Sequence, residues 1–181
     1  MKILRNILFI NVILLILFTP VSGAGESVTT PSQQLAVPQE RVILTIKGKI
    51  ARSNGENGVA RFDRAMLEKL PQKAIKTTTR WTEGLQEFEG VLVTELLKYV
   101  GATGTTIESV ALDDYVSPKT PIDDFEKYSV ILAIKKNGEY IRIRDKGPIW
   151  MIYPMDDYPE LRKDLLTQYK LIWHVRTIIV E

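Results

Sequence analysis

The sequence contains no cysteine. That single absence removes disulfides, thiolate metal sites, iron–sulfur clusters and covalent thiol catalysis. Packing alone must hold the fold. Histidine is almost as scarce, with one residue, His174, in the apolar run Leu171 to Val180. Zinc sites and hydrolytic triads ordinarily need a second histidine or a cysteine in support, so His174 reads as a strand residue near the C-terminus. No glycine-rich run follows a strand and opens a helix, which leaves out the phosphate loop and the dinucleotide fingerprint. No Gly-x-Ser-x-Gly elbow is present for serine hydrolysis. A charge excess is missing too. The formal charge of +2 resides in Lys2 and Arg5, and the two signs balance without them. A nucleic-acid partner therefore has no electrostatic support.

Lys2 and Arg5 precede an almost unbroken apolar run, Ile7 to Phe18, which Pro20 breaks; Ser22-Gly23-Ala24 then offers small residues for cleavage. This is the anatomy of a secretory signal peptide over residues 1–24. The run is short against the roughly 20 apolar residues of a membrane span, so an uncleaved N-terminal anchor is the lesser alternative. The expected location is periplasmic or secreted. Residues 25–40, rich in Ser, Thr, Pro and Gln, read as a flexible linker. One domain is expected over 41–181.

Within it, Arg41 to Ile50 alternates as a strand, and Ser53 to Gly58 is a turn by composition. Val59 to Phe62 reads as a short strand. Asp63 is placed to cap a helix carrying Met66, Leu67 and Leu70, which Pro71 ends. Ala74 to Trp81, with three consecutive threonines, predicts a strand. Phe88 to Val91 leads to a second helix with Thr94 as N-cap, a buried stripe of Leu96, Leu97 and Val100, and Gly101 as its terminal glycine. Thr105 to Leu112 is a further strand, and Asp123-Asp124 start a helical turn. Asn137-Gly138 between alternating runs signals a hairpin. Its second arm, from Glu139, puts Ile141 and Ile143 on one face and Arg142 and Arg144 on the other. Ile149 to Tyr153, apolar throughout, predicts a fully buried strand. Pro159 suits the first position of a helix carrying Leu161, Leu165 and Leu166, and Leu171 to Val180 closes the chain as a strand. Strands come in pairs and do not alternate with helices. The expectation is an α+β domain, with a mixed β-sheet or β-barrel-like core and short helices.

The paired carboxylates Asp113/Asp114, Asp123/Asp124 and Asp156/Asp157 lack calcium-loop spacing. Adjacent aspartates in loops more commonly serve as solvated turns and caps, so no metal ligands are assigned. What remains is aromatic and cationic. Trp81, Trp150, Tyr153 and Trp173 can stack on a flat ligand, and Thr77, Thr78 and Thr79 offer a row of hydroxyls. Arg80, Arg142, Arg144 and Lys146 can hold an anion, because guanidinium forks suit oxyanions. The alternative is ordinary core aromatics and solvated arginines.

Four motifs in order carry a resemblance: Ile75 to Trp81 (IKTTTRW), Phe88 to Val91 (FEGV), Ala111 to Tyr115 (ALDDY) and Asp145 to Pro154 (DKGPIWMIYP). Together they resemble the oxidoreductase molybdopterin-binding domain. This is the sulfite-oxidase-type fold, also found in nitrate reductase and a periplasmic methionine-sulfoxide reductase. The resemblance covers roughly Arg41 to Glu181. It implies a cleft holding a molybdenum–pterin, with Asp114, Tyr115, Lys146 and Gly147 among the residues near it. The metal's protein ligand in those enzymes is a cysteine, and Thr77 is the best match for it here. Trp150 stands where the pattern has an arginine, and Ile172 where it has a lysine before Trp173. A threonine hydroxyl stays protonated near neutral pH and is a poor exchange for a thiolate on molybdenum. The resemblance thus implies an exported, non-catalytic ligand-binding or sensory module without a cofactor and with no catalytic residue. Its partner would be a small anionic or planar ligand, or a periplasmic or membrane protein. The alternative is an oxidoreductase that binds molybdopterin in an atypical way.

Overall fold

A computed structural model describes residues 35–181. The leader expected over 1–24 and the stretch 25–34 lie outside the described residues. Among the described residues, no helix is long and apolar enough to cross a membrane.

Two open sheets make the domain. The first contains β1 (Leu44–Gly48), β2 (Ala60–Phe62), β5 (Thr106–Ala111), β6 (Thr120–Pro121) and β10 (Val175–Val180), in the order β2-β1-β10-β5-β6. Only the β1–β10 pair is parallel. The second contains β3 (Gln72–Thr77), β4 (Gln86–Leu92), β7 (Ile131–Lys136), β8 (Glu139–Tyr140) and β9 (Trp150–Ile152). It runs β3-β4-β7-β8, and β9 also pairs with β7. Neither sheet closes on itself, so the α+β expectation holds without a closed barrel. The helices are short: α1 (Arg64–Glu68), α2 (Val93–Tyr99), α3 (Ile122–Tyr128), α4 (Glu160–Lys163) and α5 (Leu165–Lys170).

The second sheet is buried on both faces at β7 and β9. Leu132, Ile134, Met151 and Tyr153 point into the main core with β1, β10 and the helices. Their neighbours Ile131, Ala133, Trp150 and Ile152 point the other way, into a smaller cluster with Ile75 and Phe88. Alternation along a strand sends successive side chains to opposite faces, so a strand covered on both sides reads as one apolar run. Gly90 on β4 is required by close approach. A Cβ there would meet the carbonyl oxygen of Leu132 at 1.9 Å.

Local signals behave as their chemistry dictates at several points. Asp63 caps α1, its Oδ1 accepting from the Met66 N–H at 2.8 Å. Asn137 and Gly138 turn the β7–β8 hairpin with φ of 52° and 81°, the left-handed conformations that such a two-residue turn needs.

Other expectations need correcting. Residues 35–40 are docked on the domain and are not part of a linker. Leu35 is buried and its N–H donates to Ser53, and the N–H groups of Gln39 and Glu40 donate to Asp63 Oδ2 at 2.8 and 3.1 Å. Thr94 is no N-cap: α2 starts at Val93, with Leu92 at the cap position and no side-chain bond there. The strand read over Ala74–Trp81 ends at Thr77. The second hairpin arm ends at Tyr140, and Ile143–Asp145 form a 3-10 turn instead. Ile141 is buried while Ile143 is 48% exposed, so the two do not share a buried face. On α5, Leu165 and Leu166 point outward and Thr167 inward. The last strand starts at Val175, after His174 at a φ of 56°.

Candidate functional site

Three tryptophans close the smaller cluster. Trp150 on β9 lies at its base, 1% exposed. Its ring meets Phe88 edge-on at 5.4 Å and Trp173 at 6.3 Å, and its Nε1–H donates to the Leu171 carbonyl at 3.3 Å. Trp81 packs edge-to-face on Trp173 at 4.9 Å between ring centroids. Hydroxyls fix the turn that presents Trp81. Its N–H donates to Thr79 Oγ1 at 3.2 Å, the Thr79 N–H donates to Thr82 Oγ1 at 3.2 Å, and the two hydroxyls lie 3.0 Å apart. Lys146, held left-handed at a φ of 77°, puts its ammonium 5.9 Å from the Trp150 ring and 5.5 Å from the Trp173 ring. Both distances are within reach of a cation–π attraction.

Two adjoining cavities open beside this group, sharing Gln168 and Leu171 in their walls. The first, about 260 Å³, is aromatic, with Trp81, Trp173, Tyr115 and Tyr169 around it and Asp113 at one side. The Tyr115 hydroxyl donates to the Tyr169 carbonyl at 3.2 Å, which joins two of its walls. The second, about 380 Å³, is lined by Thr78, Thr79, Arg80 and Arg162, with Leu165 at its edge.

The sequence-derived candidates divide accordingly. Thr78, Thr79, Arg80, Trp81 and Tyr115 come together around the paired cavities. Trp150 supports them from below, and Lys146 covers two of the rings. Gly147 has a backbone role, since a Cβ there would meet the Ile141 carbonyl oxygen at 1.9 Å. Asp114 turns away to pair with Arg176, and its neighbour Asp113 faces the aromatic cavity. Arg144 is exposed and lies 3.7 Å from Asp145, lining none of these cavities. Tyr153 lines a separate cavity with Asp124 and Lys170. Its hydroxyl has no hydrogen-bond partner among the described residues, and burial pushes the phenol well above its ordinary range.

Thr77 is fully buried, with its hydroxyl engaged by Asp156. It donates to Asp156 Oδ2 at 3.0 Å and accepts from the Asp156 N–H at 3.3 Å. The same carboxylate accepts from the Thr78 N–H and, at 2.5 Å, from Arg162. Arg162 also donates to Thr78 Oγ1 at 2.6 Å and to the Met155 carbonyl at 3.1 Å. Burial alone would raise the Asp156 carboxyl. The bonds from Thr78 and Thr77 and the charge of Arg162 outweigh it and hold the group below its ordinary value. Asp156 reads in sequence as half of a solvated aspartate pair. Only its 79-residue separation from Thr77, bridged in the fold, reveals its role. Arg162 on α4 and Gln168 and Tyr169 on α5 carry no sequence signal either, because such short helices hold no motif.

No family model matches the sequence, and no curated protein matches it. In structure, the chain is similar to the sulfane dehydrogenase SoxCD from Paracoccus pantotrophus, with a TM-score of 0.55 and 17% sequence identity. The match covers 76% of this chain and 37% of that one, so this chain spans well under half the length of the protein it matches. The likeness agrees with the fold relationship implied by the four motifs, and at that identity it shows the fold alone.

The resemblance to sulfite-oxidase-type proteins implies a molybdenum–pterin, and Thr77, the residue it matches to the metal ligand, does not fit one. Thr77 supplies no thiolate, and its hydroxyl is spent on Asp156 both as donor and as acceptor. An ionised carboxylate paired with Arg162 stands beside it. Trp150, where the resemblance expects an arginine, is an indole packed among Phe88 and Trp173.

Proposed function

We propose that this domain is an exported, non-catalytic ligand-binding or sensory module of sulfite-oxidase-like fold. Its ligand is a small planar or anionic molecule held in the paired cavities. The observation that carries the reading is the edge-to-face pair of Trp81 and Trp173, which walls an open aromatic cavity next to one edged by Arg80. A flat ring stacks on the indoles, and an attached anionic group reaches the Arg80 guanidinium. Arg162 is less available for that task, since it already serves Asp156, Thr78 and Met155. Export rests on the leader anatomy of residues 1–24, and a periplasmic or membrane protein remains the partner to which such a module would report.

The test has two parts. The full chain is expressed in a host that makes molybdenum cofactor, and bound molybdenum and the fluorescence of oxidised pterin are measured. An empty preparation is expected; stoichiometric cofactor overturns the reading in favour of an atypical molybdopterin oxidoreductase. A panel of aromatic carboxylates and phosphates is then titrated against tryptophan fluorescence. Saturable quenching that weakens in Trp81→Ala and Arg80→Gln supports the reading, and quenching indifferent to both substitutions places the ligand elsewhere.

A further inference from the structure

A third cavity, of about 340 Å³, shares no lining residue with the two beside the tryptophans. Four arginines contribute to its lining: Arg41, Arg64, Arg142 and Arg176. Each comes from a different part of the chain. Arg41 precedes β1, Arg64 opens α1, Arg142 precedes the 3-10 turn and Arg176 lies on β10. Like charges gathered in one place repel, and only part of that charge is offset. Arg142 pairs with Asp145 at 2.7 Å, Arg176 pairs with Asp114, and Glu40 contributes to the lining. Arg41 and Arg64 form no ion pair among the described residues. Arg64 is held in position nonetheless, with its guanidinium carbon 4.2 Å from the centre of the Tyr140 ring. The nearby Glu68 is occupied by the Tyr140 hydroxyl at 2.6 Å and by Lys135 at 3.3 Å.

Apart from Glu40, Thr45 and Thr177, the rest of the lining is apolar. Leu44 and Ile141 are buried in its wall, and Val42, Leu112 and Ile143 also line it while remaining exposed. Water satisfies a guanidinium, but it does not favour exposed aliphatic surface. A ligand that satisfies both features has a charged end and an apolar body.

We infer that this cavity is a binding site for an amphiphilic anion: a phosphate or carboxylate head on a short aliphatic or aromatic body. The head meets the forks of Arg41 and Arg64, which match oxyanions through paired N–H groups. The body covers Val42, Leu112 and Ile143, the exposed aliphatic part of the lining. The volume falls at the lower end of the roughly 300–1,000 Å³ found for small-molecule sites.

The test titrates the full chain with hexyl phosphate and with inorganic phosphate, by calorimetry at low salt. In parallel, sedimentation is measured with vesicles of phosphatidylglycerol and of phosphatidylcholine. Hexyl phosphate is expected to bind at least about tenfold more tightly than inorganic phosphate, and the Arg41→Gln/Arg64→Gln pair to weaken it by about tenfold or more. Salt weakens the binding through screening. If phosphatidylglycerol vesicles are also bound, and that binding falls in the Gln pair, the head belongs to a lipid; hexyl phosphate binding without vesicle binding assigns it to a soluble molecule. Both results support the site. Absence of saturable binding to either probe overturns it, as does equal affinity for inorganic phosphate or unchanged binding in the Gln pair. Should the Gln pair fail to fold, Arg41→Lys/Arg64→Lys keeps the charge and removes the fork, and unchanged hexyl phosphate affinity in that variant overturns the site equally.

Discussion

Asp156 Oδ2 lies 3.0 Å from the Thr77 hydroxyl oxygen, across 79 residues of sequence. The carboxylate ties the end of β3 to the segment after β9, and Arg162 closes the arrangement from α4. Asp156→Ala removes the acceptor that a fully buried hydroxyl and the Arg162 guanidinium share. Such a loss costs about 1–3 kcal/mol. Chemical denaturation should show it as a lower midpoint at unchanged slope, and a midpoint equal to that of the parent would mean that the contact contributes nothing.

Thr77→Cys introduces the residue type that the resemblance expects as the molybdenum ligand. The thiol would still sit fully buried against Asp156, and Trp150 would still lack the cation of the pattern. The variant should therefore carry no more molybdenum than the parent when both come from a cofactor-making host. Elemental analysis decides this, and stoichiometric metal in the variant would mean that the cleft is intact.

Trp150 and Trp81 should respond differently to truncation. Trp150 is fully buried among Phe88 and the other two indoles, and Trp150→Ala should cost about 3–5 kcal/mol. Trp81 is only partly buried, so Trp81→Ala should cost clearly less in thermal melts while removing most of the ligand-induced fluorescence change. Equal destabilisation would make both residues core.

Arg144 reads in sequence as an anion ligand, yet it is exposed and lines none of the three cavities discussed. Arg144→Ala should leave anion affinity unchanged and stability within about 0.5 kcal/mol. A tenfold loss of anion affinity would restore it to the site.

Acid should loosen the domain through several carboxyls, Asp63 and Asp156 among them. Burial opposes ionisation of Asp63 and of Asp156, but hydrogen bonds and nearby cations hold both below their ordinary value of 3.8. The folded state thus favours the charged forms. Their contribution is complete above about pH 3.8 and is lost as pH falls through the lower folded values. Denaturation midpoints across acidic pH should fall less steeply in Asp156→Asn than in the parent, and parallel profiles would count against the linkage.

Features with local causes were legible in the sequence. The Asn137-Gly138 hairpin, the Asp63 cap and the doubly buried run at Ile149 to Tyr153 each depend on a few neighbouring residues. The candidate site was half legible: Thr78 to Trp81 and Tyr115 meet, whereas Asp114, Arg144 and Tyr153 go elsewhere. Alternation suggested that Arg142 and Arg144 act together. The turn at Ile143–Asp145, with Lys146 left-handed and the Gly147 backbone close to Ile141, breaks that alternation. Asp156 and Arg162 were hidden for a different reason. Their partners lie on β3 and just beyond it, and no periodicity encodes such a long-range pairing.

The docking of residues 35–40 has a mechanical consequence. A pull on the chain ahead of Leu35 enters the domain through the Leu35–Ser53 bond and then through the two N–H groups of Gln39 and Glu40 seated on Asp63. Those bonds bear the load before any sheet does. Protonating Asp63 weakens the acceptor they share, so a tethered domain would yield at this clasp first, opening the Glu40 edge of the arginine-lined cavity while the sheets stay paired.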